Sequence, residues 1–180
     1  MSQVRHKVFI SYHHDDKKEV DKFIETFDEE RKVFVGRALG IGMSEDIIDS
    51  SDVDYVIRRI RKLYLKDSTV TIVLIGKCTW ARRYVDWEIQ SSLRHGRTVT
   101  PNGLSGIVLP SAGKNPTAPS RLDINIKGES GDEGYARWYW YPKRKDVLAN
   151  IIEDAYKART RRVHLIVNPR ENFSYNRSCP

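Results

Sequence analysis

Two periods of apolar and polar residues take turns along this chain. Val70 to Gly76 is a near-continuous β-branched and aliphatic run closed by glycine, the pattern of a strand covered on both faces in a parallel sheet. From Trp80 the period changes. Ala81, Val85, Ile89 and Ser92 recur at three- and four-residue spacing, which defines one helix face packed back on that strand. Lys7 to Tyr12 predicts an earlier short strand. The helix after it carries an inward stripe of Val20, Phe23, Ile24 and Phe27, with Asp15 or Asp16 as N-cap. Lys32 to Gly36 predicts a second strand and Gly36 to Gly42 a loop. Ser44, Ile47, Ile48, Val53, Val56, Ile57, Ile60 and Leu63 predict a further helix, broken near Asp49 to Asp52.

The pattern is less regular afterwards. The Glu88 helix ends by Gly96, and Leu104 to Leu109 predicts a fourth strand. Ser111 to Gly134 is rich in proline, glycine and serine, which predicts either a functional loop or a partly disordered segment. Tyr135 to Tyr141 alternates Tyr135, Arg137, Tyr139 and Tyr141 with Ala136, Trp138 and Trp140. That is an edge strand with two aromatic faces, packed under a last helix over Pro142 to Arg161. Val163 to Val167 predicts a short final strand, and the chain beyond Asn168 a loose tail. Strands alternating with helices at these lengths give an α/β fold: a flavodoxin-like three-layer sandwich around a central, mostly parallel sheet. One domain over residues 1–165 with a loose tail over 166–180 follows from the length.

One residue does not suit its place. At about 100° per residue Glu88 projects only ~60° from the Val85 direction, inside or at the rim of the apolar arc. Burying an ionised carboxylate costs several kcal/mol unless it is compensated. Glu88 is therefore either paired with an arginine or kept for chemistry. Tyr84 and Trp87 flank it, Trp87 at ~160° from Val85 and so directed toward solvent or a neighbouring subunit. Open α/β sheets bind ligands at the carboxyl ends of their strands, where this helix begins.

Composition narrows the classes. Hydrophobic residues make up 39% and charged residues 31%, and no apolar run has the length to cross a bilayer. The N-terminus MSQVRHKVFISY has no secretion-signal pattern, which with two cysteines predicts a cytoplasmic protein. Cys78 and Cys179 do not make a disulfide framework, and Cys78 is read as packing. The net charge of +7 favours anionic partners. Arg58, Arg59, Arg61, Lys62 and Lys66, like Lys143 to Lys145 and Lys157 to Arg162, alternate with apolar positions as solvated helix faces do, which disfavours nucleic acid.

Other motifs carry less. His13, His14, Asp15 and Asp16 invite a metal, but adjacent histidines on a loop present both rings to one ion with difficulty, and no second ligand pair at suitable spacing follows. No metal is expected; one histidine positioning a substrate hydroxyl or phosphate is preferred. Asp52 and Asp54 suit solvated acids. GRALGIG is neither a P-loop nor a dinucleotide fingerprint. A receiver-like phosphoacceptor is disfavoured because the middle strand ends in Gly76-Lys77.

Several of these pieces resemble one family. KVFISYHHDD is similar to the opening box of TIR domains, with a strand ending in a Ser-aromatic step and an acidic helix start. Ser68 to Thr71, Val73 to Gly76, Cys78 to Thr79 and Arg82 to Ile89 resemble the TIR-like family that includes the TIR proteins of Thoeris anti-phage defence. The likeness covers roughly the first 110 residues. It implies a flavodoxin-like sheet and, in enzymatic members, cleavage of the nicotinamide-ribose bond of NAD+. It implies further that the product, hydrolysed or cyclised ADP-ribose, would act as a signal to a downstream effector.

By this resemblance the catalytic residue is Glu88, and Ser11, Tyr12, His13 and Tyr84 are substrate-binding, with NAD+ as substrate and no resident cofactor. Ser11 to His14 and Gly36 to Gly42 would border the cleft. Self-association and a phage-derived trigger also follow from it. The alternative is a non-catalytic TIR-like adaptor on the same fold, which predicts Glu88 neutralised by a close arginine with no cavity beside it.

Overall fold

The computed structural model describes residues 4–28, 34–38, 50–63, 65–128 and 133–180. Its strands are β1 (His6–Ser11), β2 (Phe34–Ala38), β3 (Val70–Ile75), β4 (Gly103–Val108) and β5 (Arg137–Trp140). The helices are α1 (Lys17–Phe27), α2 (Val53–Leu63), α3 (Arg83–Ser92), α4 (Ser120–Lys127) and α5 (Lys145–Arg161). The strands form one sheet in the order β2-β1-β3-β4-β5, and every pairing is parallel. This is the flavodoxin-like α/β arrangement expected from the alternating pattern.

Alternation along the central strands sorts the core into two layers. Val8, Ile10, Ile72 and Leu74 pack with Val20, Phe23 and Phe27 of α1 and Leu148, Ile151 and Ile152 of α5. Phe9 faces the other way, onto Val56 and Ile60 of α2 and Trp87 of α3. Val73 and Ile75 meet Val85 and Ile89 of α3 and Leu122 of α4. β3 is buried at every position, as its uninterrupted apolar run requires. Gly103 starts β4 where a Cβ would stand 2.0 Å from the Ala155 carbonyl oxygen, so its lack of a side chain lets α5 close against the sheet.

Several expectations are corrected. The second strand runs to Ala38, so Gly36 to Ala38 are strand and not loop; residues 39–42 of that loop, and 44–49 of the next helix, lie outside the described residues. The segment after Ser111 contains α4, whose buried Arg121, Leu122 and Asn125 fix it to the sheet layer. Val163–Leu165 is a 3-10 turn, not a strand. β5 is the sheet edge, with Tyr139 and Tyr141 against the α1–α5 layer and Trp138 and Trp140 exposed.

Residues 166–180 are not a loose tail. They return over the outer face of α3, where the Trp87 indole N–H donates to the Phe173 carbonyl at 2.9 Å. Gln90 Nε2 donates to the carbonyls of Pro169 and Arg170, and the Arg177 N–H to Ala81 O at 2.8 Å. Asn176 Oδ1 accepts the Arg83 backbone N–H at 3.0 Å, satisfying one of the unpaired donors at the start of α3. Cys179 closes the strap: it is disulfide-bonded to Cys78 across 101 residues, with Cα atoms 5.7 Å apart. Cys78 is thus not a packing thiol, and the cysteines carry no mark of a reducing compartment. No helix among the described residues is long and apolar enough to cross a membrane.

Candidate functional site

Strand order reverses between β1 and β3, because β2 lies on one side of β1 and all later strands on the other. The crevice at the carboxyl ends of those two strands is where such sheets take ligands. Ser11 ends β1 and pairs in register with Val73. It shares the odd-numbered face of β1 with Phe9, and so points toward α3. Glu88 comes from the second turn of α3 to meet it: Ser11 Oγ donates to Glu88 Oε2 at 2.5 Å.

Glu88 is only 6% exposed. Among the described residues no arginine, lysine or histidine forms an ion pair with it. Burial pushes its carboxyl up from 4.5 to about 8, against which the Ser11 hydrogen bond acts alone in the opposite direction. An acid held neutral in a dry site, with nothing built to cancel its charge, is what a structural surface glutamate is not. The placement within the apolar arc is therefore as expected, and its burial deeper.

The other anticipated residues divide between two sides of the sheet. His13, two residues beyond the end of β1, is 5% exposed; its Nε2 has no hydrogen-bond partner. Burial lowers its pKa, so the neutral imidazole is favoured. Tyr84 lies one turn before Glu88, edge-on to Trp87 with ring centroids 6.0 Å apart. Tyr12 is turned the other way, onto the Val8–Ile10 layer, though the Glu88 charge still contributes to raising its pKa, after burial. Trp87 is corrected: it is 3% exposed, held between Phe9 and the returning strap and not directed to solvent.

The expected capping of α1 by Asp15 or Asp16 is corrected, and the contact that Asp16 makes instead was missed. Asp16 stands at the N-terminus of α1, but its carboxylate makes no cap; it lies 3.3 Å from Thr79 Oγ1, which itself accepts the Gly76 N–H at 2.8 Å. A Cβ on Gly76 would come within 2.1 Å of Asp16 Oδ2, so the glycine ending β3 admits that carboxylate. Asp52, in contrast, accepts the Tyr55 N–H at 3.1 Å as the cap of α2.

A second buried acid on α3, Asp86, was also missed. Arg121 Nε donates to its Oδ1 at 2.8 Å and the Phe173 N–H to its Oδ2 at 3.0 Å.

Comparison with protein families matches residues 9–112, over half of the chain, to the family described as Thoeris protein ThsB, TIR-like domain. The chain belongs to this TIR-like family. The match runs from the second half of β1 through β4 and includes Ser11, Tyr12, His13, Tyr84 and Glu88. No curated protein matches the chain. The family places the protein in TIR-like defence and leaves α4, β5, α5 and the strap outside the matched span.

Proposed function

We propose that this TIR-like protein cleaves the nicotinamide-ribose bond of NAD+ and releases an ADP-ribose-derived product, hydrolysed or cyclised, as a signal to a downstream effector in anti-phage defence. The supporting observation is Glu88, a buried carboxylate without a cationic partner among the described residues, at the carboxyl ends of β1 and β3. Departure of the charged nicotinamide needs no proton: the bonding pair leaves with the ring nitrogen, and the ribose carbon becomes oxocarbenium-like. A carboxylate in a site of low dielectric opposes that charge better than water does.

The raised pKa gives the chemistry a condition. At pH 7 the free protein holds Glu88 mostly protonated, so the cationic substrate must draw the proton off as it binds. Ser11 fixes the orientation of the carboxylate, and His13 offers a buried ring nitrogen to a substrate hydroxyl or phosphate. With 6% of Glu88 exposed, substrate entry requires its surroundings to open, for which a phage-derived trigger or self-association is the proposed cause.

Purified protein, assayed alone and with phage-infected extract, is expected to release nicotinamide from NAD+, and Glu88→Gln to lose that release. Equal release by both variants removes the assignment. The adaptor reading asks for an arginine on Glu88 and for closed packing beside it; among the described residues no arginine occupies that place, while the deep burial of Glu88 is common to both readings.

A further inference from the structure

At the end of β1 the backbone brings together what an extended loop would hold apart. His13 is extended, with φ −83° and ψ 134°, while His14 opens a 3-10 turn. This change of direction sets the two rings edge to face, with centroids 4.5 Å apart. Asp15 lies between them: its Oδ1 is 2.8 Å from His14 Nε2 and its Oδ2 3.7 Å from His13 Nε2. Ligand atoms from the three residues all lie within 4.8 Å of one another. Atoms bound to one tetrahedral ion at Zn–N lengths near 2 Å stand about 3.3 Å apart, so small rotamer changes suffice. His14 and Asp15, 83% and 70% exposed, are free to make them.

A second observation points to a ligand. His13 is 95% buried, its Nε2 is without a hydrogen-bond partner, and that atom faces the cluster. A buried imidazole nitrogen left unpaired costs free energy unless something occupies it. We propose that His13 Nε2, His14 Nε2 and the Asp15 carboxylate bind one borderline divalent cation of the Zn2+ type. Two imidazoles and one carboxylate suit such an ion better than Mg2+ or Ca2+, which take oxygen ligands.

Three protein ligands leave at least one coordination position open. Asp15 and Asp16 otherwise put negative charge at the crevice where a dinucleotide would lay its pyrophosphate, and a bound cation reverses that sign locally. The open position would accept a phosphate oxygen, a role that rests on the NAD+ reading above and in which His13 acts on the phosphate through the ion instead of directly.

Calorimetric titration of the full chain with Zn2+ alone tests the site without reference to activity. One ion per chain at micromolar affinity or tighter is expected, and a weakening of at least tenfold in His14→Ala/Asp15→Asn. Both positions are exposed, so an unchanged melting profile of this variant verifies its fold. Visible absorption of the Co2+-substituted protein should report tetrahedral nitrogen ligation and vanish in the same variant. No stoichiometric binding, or equal binding by the variant, overturns the site and leaves an adventitious ion only, held by other histidines. If Zn2+ binds but NAD+ affinity is the same with and without it, the phosphate role is overturned. Absence of nicotinamide release with Zn2+ binding intact counts against the catalytic reading and not against the site.

Discussion

Asp86 and Glu88 lie two residues apart on α3, each about 5% exposed, and the protein treats them in opposite ways. Asp86 faces the strap and α4, where a two-pronged Arg121 contact and a backbone N–H absorb its charge. Arg121 is itself filled, donating onward to Asn168 Oδ1 and the carbonyls of Pro169 and Glu171. Glu88 faces the end of β1 and receives one hydroxyl. One helix thus carries a carboxylate whose charge is answered within the fold and another that receives a single neutral hydroxyl. Burial is common to both; what singles out Glu88 as the candidate functional acid is burial without a cation beside it.

The widest separation between the two is in stability. Arg121→Ala leaves Asp86 buried beside carbonyls with no cation, and should cost about 3–5 kcal/mol, read as a fall in the urea midpoint. Glu88→Gln should instead leave the fold intact and remove NAD+ cleavage by about 10²–10³-fold, the size seen when one preorganised electrostatic group is lost. A large loss of stability in Glu88→Gln, or a small one in Arg121→Ala, would mean that the roles of the two acids are reversed.

pH separates them next. Glu88 titrates near 4.5 in the unfolded chain and about 8 when folded. The folded state keeps its proton where the unfolded chain has lost it, so the contribution is fully present below about pH 4.5 and is lost as pH rises through about 8. The loss is of the order of a few kcal/mol. Wild type should therefore lose more stability between pH 5 and pH 9 than Glu88→Gln, measured by urea unfolding across that range. On the proposed mechanism activity runs the other way, since the ionised form is the one that would stabilise the ribose cation. kcat/KM should climb toward pH 8, and kcat should reach its plateau at lower pH because bound substrate favours the carboxylate.

The strap comes third. Reducing Cys78–Cys179, or substituting Cys179→Ser, should lower stability by about 2–4 kcal/mol, with loss of amide protection in residues 168–179 before the sheet. If protection there is unchanged, hydrogen bonds to α3 hold the strap without the disulfide, and Asp86 stays covered.

These opposite treatments explain what could be read in the sequence. The buried strand, the α3 stripe and the position of Glu88 follow from period alone, since a side chain every 100° or 180° either faces the sheet or does not. Asp86 does not follow, because Arg121 is 35 residues away on a short helix inside a stretch rich in proline and glycine. Trp87 shows the limit most clearly. Its angle away from the sheet is as expected, yet a helical wheel knows only one packing partner and here the strap is a second. That strap is held largely through its backbone carbonyls, which any residue supplies, so its sequence carries no periodic signal. The cysteine pairing is not legible either, because two cysteines 101 residues apart carry no spacing signal.

The finest test lies between Ser11 and Glu88. Ser11 is the one group that pulls the Glu88 pKa downward against burial, and it is itself fully buried. Removing its hydroxyl with Ser11→Ala deletes a hydrogen bond to a charged form, so the carboxyl should move further above 8, by about one pH unit. At pH 6, where Glu88 is protonated in both proteins, the stability change should stay near 1 kcal/mol. The effect belongs instead in the rate profile: the alkaline rise in kcat/KM should shift upward, with much of the lost activity regained by raising the pH. A loss that is the same at every pH would assign Ser11 to substrate contact, whereas a shifted curve shows that this hydroxyl sets how readily the unanswered acid takes up its charge.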